Sequence, residues 1–350
     1  MNPRLAHHAE IVGLSIVDPE TFEIERQKLD DGFRICFLSG ETVRDKALKK
    51  RIDELVLPPA WQNVRICIDG NGHIQAIGRD EKGRLQYRYH DRWVDVRNAV
   101  KSERLMRFGR ALPKLRQAVD RDMKRRKRDR RLTAATATRL IDLTAMRPGH
   151  EKYATDGGRG VASLRRKNLR IQDGSVAVLK FTGKSKKKHE IEIADRKLVA
   201  NLERIRTGTG SRLFKFSGKK TKTRTMTAGV LNTYMREASG KRISAKDFRT
   251  FHGSAEALRF LCTDEKAVEA DSENKRKRAV AAAMRAVSER LRNTPAVARS
   301  SYVHPRIIEA YEQGELSCDL LKGRTRAGLD RQETGLMRFL EETTTGASED

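Results

Sequence analysis

The chain has 350 residues, which is enough for two or three domains with a sizeable core. Lysine and arginine number 74 against 47 acidic residues, so the formal net charge is +27 at pH 7, and 37% of the residues are hydrophobic. This composition argues against a chain that is disordered throughout, no apolar run approaches the roughly 20 residues of a membrane-spanning helix, and the charge favours a polyanionic partner, nucleic acid first.

Cysteine and histidine spacing gives no sign of a metal site. Cys36, Cys67, Cys262 and Cys318 are far apart and form no Cys-x-x-Cys pair. Such spacing is typical of buried or incidental thiols in a reducing compartment. The eight histidines show no metal-ligand spacing, and the first residues lack the apolar core of a secretory signal. We therefore predict no metal and no secretion.

The first 97 residues predict a small β-rich domain. Short apolar or alternating runs at residues 33–38, 64–68 and 73–77 indicate strands, separated by glycine-containing turns. Residues 44–54 indicate a helix, and a stiff Pro-Pro-Ala-Trp segment follows it.

From about residue 98 the pattern becomes helical, with leucine and phenylalanine at helix spacing. Residues 121–131 contain eight Lys or Arg in eleven positions. A solvated helix face and a surface that contacts phosphates explain this run equally well. The candidate DNA contacts in it are Lys124, Arg125 and Arg126.

The remaining chain predicts a mainly helical domain around a small sheet. Residues 132–146 indicate a buried helix, and three short apolar runs at 169–171, 176–181 and 189–193 indicate an antiparallel meander. Further helices are predicted at 194–204, 227–238, 245–261, 273–292, 305–311 and 329–341. The fold class is therefore α+β, with a β-rich domain at 1–97, a helical domain at 98–342 and a flexible tail at 343–350.

Three cations and a phenol occur in an order suited to phosphodiester chemistry without a metal. Arg147 and Arg249 offer forked donors that match phosphate oxygens and stay protonated. Lys184 can release a proton and so act as a general acid. Tyr302 is a suitable nucleophile, because its phosphate ester holds a broken strand and can be reversed.

Each of these residues also has a plain structural interpretation. Arg147 could cap the end of the preceding helix, and Lys184 could be part of a solvated basic turn. Arg249 could pair with Asp247, two residues before it. Tyr302 is predicted to lie on a short, mobile connection, because a proline three residues later begins a new helix.

The Gly-Lys-Ser string at Lys184 could suggest a P-loop for ATP. That motif needs a glycine five residues before its second glycine, where this chain has Val178. The segment that follows is a strand rather than a helix, so the sequence disfavours nucleotide binding at this turn.

Several motifs occur in order along residues 30–340. In the second domain they are Arg147-Pro-Gly-His-Glu-Lys-Tyr153, Gly160-Val-Ala-Ser-Leu164, Phe181-Thr-Gly-Lys184, Lys246-Asp-Phe-Arg-Thr-Phe-His-Gly253, Asn293-Thr-Pro-Ala-Val297 and Tyr302-Val-His-Pro305. In the first domain they are Leu57-Pro-Pro-Ala-Trp61 and the segment from Gly78 to His90. Together these motifs resemble those of type IB DNA topoisomerases, in the small poxvirus-type branch that is also found in bacteria.

The resemblance implies a monomeric, C-shaped clamp around double-stranded DNA that needs neither ATP nor a divalent metal. Tyr302 would attack a backbone phosphorus to give a 3′-phosphotyrosyl enzyme and a free 5′-hydroxyl. Arg147 and Arg249 would bind the scissile phosphate, Lys184 would protonate the leaving oxygen, and Asn293 would donate to a phosphate oxygen. Supercoils would relax by strand rotation before religation, in the cytoplasm and on the nucleoid.

By the same resemblance, a segment of the first domain would bind DNA. Gln86, Tyr87 and Tyr89 would face the major groove, and Arg84 beside them would also contact DNA. The alternative is an ordinary amphipathic strand whose tyrosines pack in a core.

The chain departs from the family pattern at a few positions. Viral and eukaryotic members have histidine where Asn293 stands, Ala162 replaces a commoner threonine, Asn168 occupies a position that is often histidine, and Pro148 is unusual beside Arg147. Each change could alter the rate without changing the reaction.

Two other functions remain open at this stage. A tyrosine recombinase shares the catalytic residues but normally carries His-x-x-Arg where this chain reads Lys246-Asp-Phe-Arg249. A non-catalytic basic DNA-binding protein would explain the charge, but not the contexts of the three cations and the tyrosine.

Overall fold

The computed structural model describes residues 3–149, 158–183, 187–207, 210–218 and 223–345. Contacts between Cα atoms divide the chain into two compact units, residues 1–101 and 102–350. The division falls inside one long helix and lies four residues after the position at which the sequence pattern changes. The α+β class is confirmed, with one larger sheet in the first unit and small sheets among the helices of the second.

The first unit contains a five-stranded sheet in the order β2-β1-β3-β4-β5, and all neighbouring strands are antiparallel. The strands are β1 (Ile24–Leu29), β2 (Gly32–Phe37), β3 (Gln62–Ile66), β4 (Ile74–Arg79) and β5 (Leu85–Tyr89). Three of these were predicted within one or two residues. The interior strand β1 was missed because its sequence, Ile-Glu-Arg-Gln-Lys-Leu, has apolar residues only at its two ends.

Arg26 of β1 fastens the Pro-Pro-Ala-Trp segment to the sheet. Its guanidinium donates to the carbonyl oxygens of Leu57, Pro58 and Trp61 at 3.1, 2.9 and 2.8 Å. The indole of Trp61 packs so closely on Gly78 that an added Cβ there would lie 2.7 Å from the ring. The segment predicted to be stiff is therefore held against the sheet by both polar and packing contacts.

Twelve α-helices occur in the described residues. They are α1 (Pro3–Ile11), α2 (Lys46–Glu54), α3 (Trp93–Met123), α4 (Arg130–Thr144), α5 (Arg196–Arg206), α6 (Ala228–Ser239), α7 (Ala245–Thr263), α8 (Glu265–Val268), α9 (Glu273–Leu291), α10 (Pro295–Ser301), α11 (Pro305–Gln313) and α12 (Arg331–Thr345). Helices α1, α8 and α10 were not predicted. Helix α12 continues beyond the predicted start of the tail at residue 343, and residues 346–350 of that tail lie outside the described residues.

The meander predicted in the second unit is confirmed as a three-stranded antiparallel sheet. Its strands are β6 (Leu169–Gln172), β7 (Val176–Thr182) and β8 (Lys188–Ile193), in that order. A short hairpin, β9 (Lys215–Ser217) with β10 (Thr223–Thr225), was not predicted.

Helix α7 lies at the centre of the second unit and packs against α4, α6, α9, α11 and α12. Most of its apolar residues are buried, and the rings of Phe248 and Phe251 contact Phe108 of α3 with centroids 4.9 and 5.3 Å apart. Because α7 touches most of the other helices, its polar side chains can reach several helix ends at once. No helix in the described ranges combines the length and the apolar character needed to cross a membrane.

Candidate active site

Helix α4 ends at Thr144, three residues before Arg147. Ala145 closes the helix in a left-handed conformation with φ 51°, which turns the chain away from the helix axis. The carbonyl oxygen of Arg147 then accepts from the backbone N–H of Val161 at 2.9 Å, and Pro148 accepts from Ala162 at 2.8 Å. The backbone of the Arg-Pro-Gly turn is thus held by the segment that begins at Gly160.

Arg249 of α7 joins the C-terminal ends of two other helices. Its guanidinium donates to the carbonyl of Ala145 at the end of α4 and to that of Leu291 at the end of α9, the latter at 2.9 Å. Unpaired carbonyls at a helix C-terminus carry partial negative charge, so a cation there is stabilising. The side chain is only 3% exposed, and its Nε is buried without a partner in the described part of the chain.

Arg249 does not pair with Asp247 in the described contacts. Asp247 instead accepts from Arg104 Nε at 2.5 Å and from the backbone and hydroxyl of Ser244 at 2.7 and 2.9 Å. The Arg249–Asp247 ion pair considered from the sequence is therefore absent among these contacts, and Arg249 is directed into the core.

Tyr302 is the C-terminal cap of helix α10, where its backbone N–H donates to Ala298 at 3.0 Å. Its carbonyl accepts from the hydroxyl of Ser254 at 3.2 Å, and that hydroxyl also accepts from the N–H of His304. A Cβ added to Gly253 would lie 3.1 Å from the Tyr302 carbonyl oxygen. The connection from Tyr302 to the next helix is short, as predicted, and Ser254 of α7 binds it through two hydrogen bonds, while its mobility stays a prediction.

The Tyr302 phenol lies against two guanidinium groups. Arg249 Cζ is 4.6 Å from the centre of the tyrosine ring. Burial raises the pKa of Tyr302, but the charge and hydrogen bond of Arg249, and then those of Arg147, lower this pKa by more. The net pKa lies below the ordinary value, so the phenolate forms more readily here than in an unperturbed tyrosine.

Arg147 and Arg249 line one cavity together with Arg159, Arg292 and His189. No carboxylate lines it within the described ranges, so the cavity carries a concentrated positive charge. Burial, followed by the charge of Arg147, lowers the pKa of Arg249 to about 10. Arg249 therefore still carries its charge at neutral pH, and the cavity is suited to an anion.

Asn293 follows the end of α9, and its backbone N–H donates to Ser288 at 3.0 Å. Both polar atoms of its amide are buried and have no partner among the described residues. Buried amides are normally hydrogen-bonded, and a partnerless one needs an explanation. A substrate oxygen that accepts from this amide would supply one.

The predicted general acid, Lys184, lies outside the described residues, so its role stays a prediction. The neighbouring β7–β8 sheet is described, and it shows why a glycine precedes the lysine. The imidazole of His189 lies over Gly183, where an added Cβ would be 2.4 Å from Nε2. Burial, and then the charges of Arg292 and Arg147, lower the pKa of His189, so its ring is neutral at neutral pH.

The sequence reasoning missed Arg159, His189 and Arg292 as members of this cavity. Arg292 directly precedes Asn293, which is a signal that was available. Arg159 lies twelve residues after Arg147 and His189 five residues after Lys184, but the motifs include neither of them, and the fold brings both to the cavity.

The three predicted major-groove residues lie on β5, an edge strand of the first unit's sheet. Side chains alternate along a strand, so Tyr87 and Tyr89 share one face and Gln86 lies on the other. The two tyrosine rings stack with centroids 5.8 Å apart, and Tyr89 also stacks on Trp93 at 6.0 Å. Gln86 Nε2 donates to Asp80 at 2.9 Å. DNA that contacts one face of β5 could therefore meet both tyrosines, whereas Gln86 could reach the same DNA only past the edge of the strand.

The other predicted DNA contacts are exposed and partly paired. Arg84 forms an ion pair with Asp80 at 2.7 Å, and Arg125 forms one with Asp129 at 2.7 Å. Lys124, Arg125 and Arg126 lie in the connection between α3 and α4 rather than on a helix face. A DNA role for these residues stays a prediction.

A buried ionic network joins helices α3, α4, α7 and α12. Arg116 of α3 binds Asp142 of α4 at 2.8 and 2.9 Å and Glu333 of α12 at 2.7 and 2.8 Å. His252 of α7, one turn after Arg249, has a ring nitrogen 3.3 Å from Asp142 and the other 3.5 Å from Glu333. Removing one member would leave an uncompensated buried charge, at a cost of about 3–5 kcal/mol.

The same network could be mistaken for a metal site. Asp142, His252 and Glu333 have ligand atoms within 4.8 Å of one another. Arg116 already binds both carboxylates, and burial of Asp142, which raises its pKa, is outweighed by hydrogen bonds and charge from Arg116 and His252. The pKa of Asp142 is thus well below its usual range without a metal ion, and the network fixes α4 and α7 relative to each other.

Comparison with known proteins gives consistent matches over most of the chain. A family model for the catalytic core of eukaryotic DNA topoisomerase I matches residues 91–319, and one for the N-terminal domain of bacterial DNA topoisomerase IB matches residues 32–80. DNA topoisomerase 1B of Acanthamoeba polyphaga mimivirus is 31% identical over 295 residues, which cover 83% of this chain and 87% of the viral protein. DNA topoisomerase 1B of vaccinia virus (strain Copenhagen) is 27% identical over 118 residues, or 33% of this chain and 37% of that protein.

Proposed function

The chain belongs to the type IB DNA topoisomerases, and we propose that it relaxes supercoiled double-stranded DNA through a transient 3′-phosphotyrosyl intermediate, without ATP or a divalent metal. The observation that carries this proposal is the Tyr302 phenol beside the guanidinium groups of Arg147 and Arg249, which line a cavity with no carboxylate among the described residues. The proposed nucleophile and three of the four proposed assisting groups lie in the described part of the second unit, which supports a monomer as the active form.

In the first step the Tyr302 oxygen attacks the phosphorus of a backbone phosphodiester. The bond from phosphorus to the 5′ oxygen breaks, and the leaving oxygen takes a proton to become a free 5′-hydroxyl. The broken strand then rotates about the intact one. In the second step the 5′ oxygen attacks the phosphotyrosine, the proton returns to its donor, and the tyrosine leaves, so that no bond energy is lost overall.

Each assisting group has a place in this scheme. Arg147 and Arg249 hold the non-bridging oxygens and stabilise the charge that concentrates on them in the pentavalent transition state. They also favour the Tyr302 phenolate by lowering its pKa. The Asn293 amide, buried and unpaired among the described residues, donates to a phosphate oxygen, and Lys184 is the proton donor for the leaving oxygen.

The direct test is relaxation of plasmid DNA by the purified protein with EDTA present and nucleotide absent. We expect both positive and negative supercoils to relax, because rotation about the intact strand has no preferred direction. Denaturation during the reaction should trap protein covalently on the 3′ side of a nick. Relaxation that requires magnesium or ATP would contradict the proposal.

Replacing Lys184 with alanine is expected to slow cleavage about 10²- to 10⁴-fold, since this is the usual contribution of a general acid. DNA binding should weaken far less, because one cation among 74 basic residues is lost. The measurement is single-turnover cleavage of a substrate with a 5′-bridging sulfur in place of oxygen. A thiolate leaves without a proton, so the sulfur substrate should restore the variant's rate. Failure of this rescue, with the wild type active on the same substrate, would remove Lys184 from the proton-donor role.

A further inference from the structure

Arg292 adopts a backbone conformation that an arginine seldom takes. It ends helix α9 with φ 53° and ψ 55°, in the left-handed region where glycine is the usual residue because a Cβ is disfavoured. Strained residues of this kind persist where the surrounding structure enforces them, and they cluster at functional sites. The position directly before Asn293 therefore has a reason to be arginine that helix termination alone does not supply.

The side chain of Arg292 is half-buried and lies in the active-site cavity. Its Nη1 donates to the carbonyl of Thr144 at the end of α4, at 2.9 Å, and to that of Arg290 at 3.4 Å. No carboxylate pairs with it among the contacts of the described residues. Burial lowers its pKa, which shows that the charge is held in the cavity at a cost.

Joining two helix ends does not account for this arrangement. Arg249 already links the ends of α4 and α9 through the carbonyls of Ala145 and Leu291. The contact from Arg292 to Thr144 links the same two ends a second time. A second link between the same helix ends does not explain a strained, half-buried cation. The part of the guanidinium other than Nη1 has no hydrogen bond among the described residues and can bind an anion in the cavity.

The charge that develops during the reaction fits an additional cation. A phosphodiester carries one negative charge, and attack by a phenolate brings a second one to the pentavalent transition state. Arg147 and Arg249 offer two positive charges to this state, but the guanidinium of Arg249 already binds two helix carbonyls, so part of its charge is engaged. A further guanidinium would therefore gain most when the transition state forms.

We propose that Arg292 is a further catalytic residue of this site, whose guanidinium donates to a non-bridging oxygen of the scissile phosphate beside Arg147 and Arg249. The proposal rests on the proposed function, because it assumes that a DNA phosphate enters the cavity. None of the sequence motifs includes Arg292.

The test is Arg292→Gly, since glycine adopts the same backbone angles without strain. We expect this variant to unfold thermally at a temperature no lower than the wild type, which separates the chemistry from the fold. The single-turnover cleavage rate at saturating protein should fall by about 10²-fold, the usual effect of losing one preorganised donor. The slope of log affinity against log salt should become less steep by about 0.9, as for one lost phosphate contact.

Asp173→Gly is the matched control for the backbone. Asp173 also has a left-handed conformation, with φ 47°, but it lies exposed in the β6–β7 turn, away from the cavity. This variant should cleave at the wild-type rate. If Arg292→Gly also cleaved at the wild-type rate with an unchanged salt slope, the role of Arg292 would be disproved.

Two further outcomes are decided by additional measurements. If Arg292→Gly unfolds at a lower temperature, Arg292→Lys becomes decisive because it keeps the charge at the same backbone position. A rate for the lysine variant well above that of the glycine variant supports phosphate binding, and equal rates overturn it. Absence of a covalent adduct with the wild type would instead contradict the proposed function, and the salt slopes would still test whether Arg292 binds DNA phosphate.

Discussion

Replacing Tyr302 with phenylalanine is expected to abolish covalent adduct formation and to reduce DNA relaxation by about 10⁴-fold or more, the order of loss seen when an enzyme's nucleophile is removed. The phenylalanine ring can keep the packing of the tyrosine ring against Arg249, because only the hydroxyl is lost. The backbone contacts from Ser254 and Ala298 do not involve the side chain. The variant should therefore fold, and it should bind plasmid DNA as tightly as the wild type.

Tyr311→Phe provides the matched control for loss of a buried tyrosine hydroxyl. Tyr311 lies on helix α11, and its hydroxyl donates to the carbonyl of Ala267 at 2.8 Å, outside the cavity. We expect a loss of stability of about 1 kcal/mol from the missing hydrogen bond and unchanged adduct formation. The measurements are plasmid relaxation and recovery of protein-linked DNA after denaturation. Relaxation by the Tyr302 variant at the wild-type rate would eliminate the assignment of the nucleophile.

The regular elements were largely predictable because their patterns are local. The sheet β6-β7-β8 follows from alternating apolar residues with turn residues between them, and the long helices follow from apolar residues at helix spacing. Helix α10, directly before Tyr302, was missed because its seven residues are mostly small or polar. A usable signal was present, since Thr294 accepts from Val297 as the N-cap and Pro295 is the first helical residue.

The chemistry of the site was predictable only as a set of residue types. Neither the motifs nor the charge indicates that Arg249 binds carbonyls 104 and 42 positions away along the chain. The network of Arg116, Asp142, His252 and Glu333 depends in the same way on four helices meeting in the core. Such contacts arise from tertiary packing, and a single sequence carries no periodic signal for them.

Arg249 and Arg292 both stabilise the fold at the active site and give the cavity its positive charge. Two helix C-termini meet at the site, and their exposed carbonyls would repel a phosphate if they were left unpaired. Arg249 and Arg292 cover those carbonyls and still present positive charge to the cavity. The groups that stabilise the fold at this point are thus the groups that make it attractive to an anion.

Replacing Arg249 with glutamine is expected to slow cleavage by about 10³-fold or more at neutral pH and to move its pH dependence upward. Loss of the phosphate donor alone accounts for about 10²- to 10³-fold. The remaining loss comes from Tyr302, because burial raises the pKa of the phenol and Arg249 is the largest influence that lowers it. Without Arg249 the pKa of Tyr302 rises, and less phenolate is present at a given pH.

The sign of this effect makes the pH profile informative. In the wild type the pKa of Tyr302 lies below the ordinary value, so the cleavage rate should level off at a lower pH than it does in the glutamine variant. Single-turnover cleavage measured across the alkaline range gives the midpoint directly. The phenolate can also be followed by ultraviolet absorbance, with the corresponding Tyr302→Phe protein subtracted to remove the other five of the six tyrosines.

Arg259→Gln separates this electrostatic effect from a general loss of positive charge on helix α7. Arg259 lies on the same helix but pairs with Glu256 at 2.6 Å, and Arg290 remains to compensate that carboxylate at 3.2 Å. We expect the pH midpoint of this control to match the wild type, and Arg249→Lys to fall between the wild type and the glutamine variant, since an ammonium keeps the charge but cannot bridge both helix ends. An unchanged midpoint in Arg249→Gln, together with a lower rate, would mean that Arg249 acts on the phosphate alone and that activation of the tyrosine depends on Arg147.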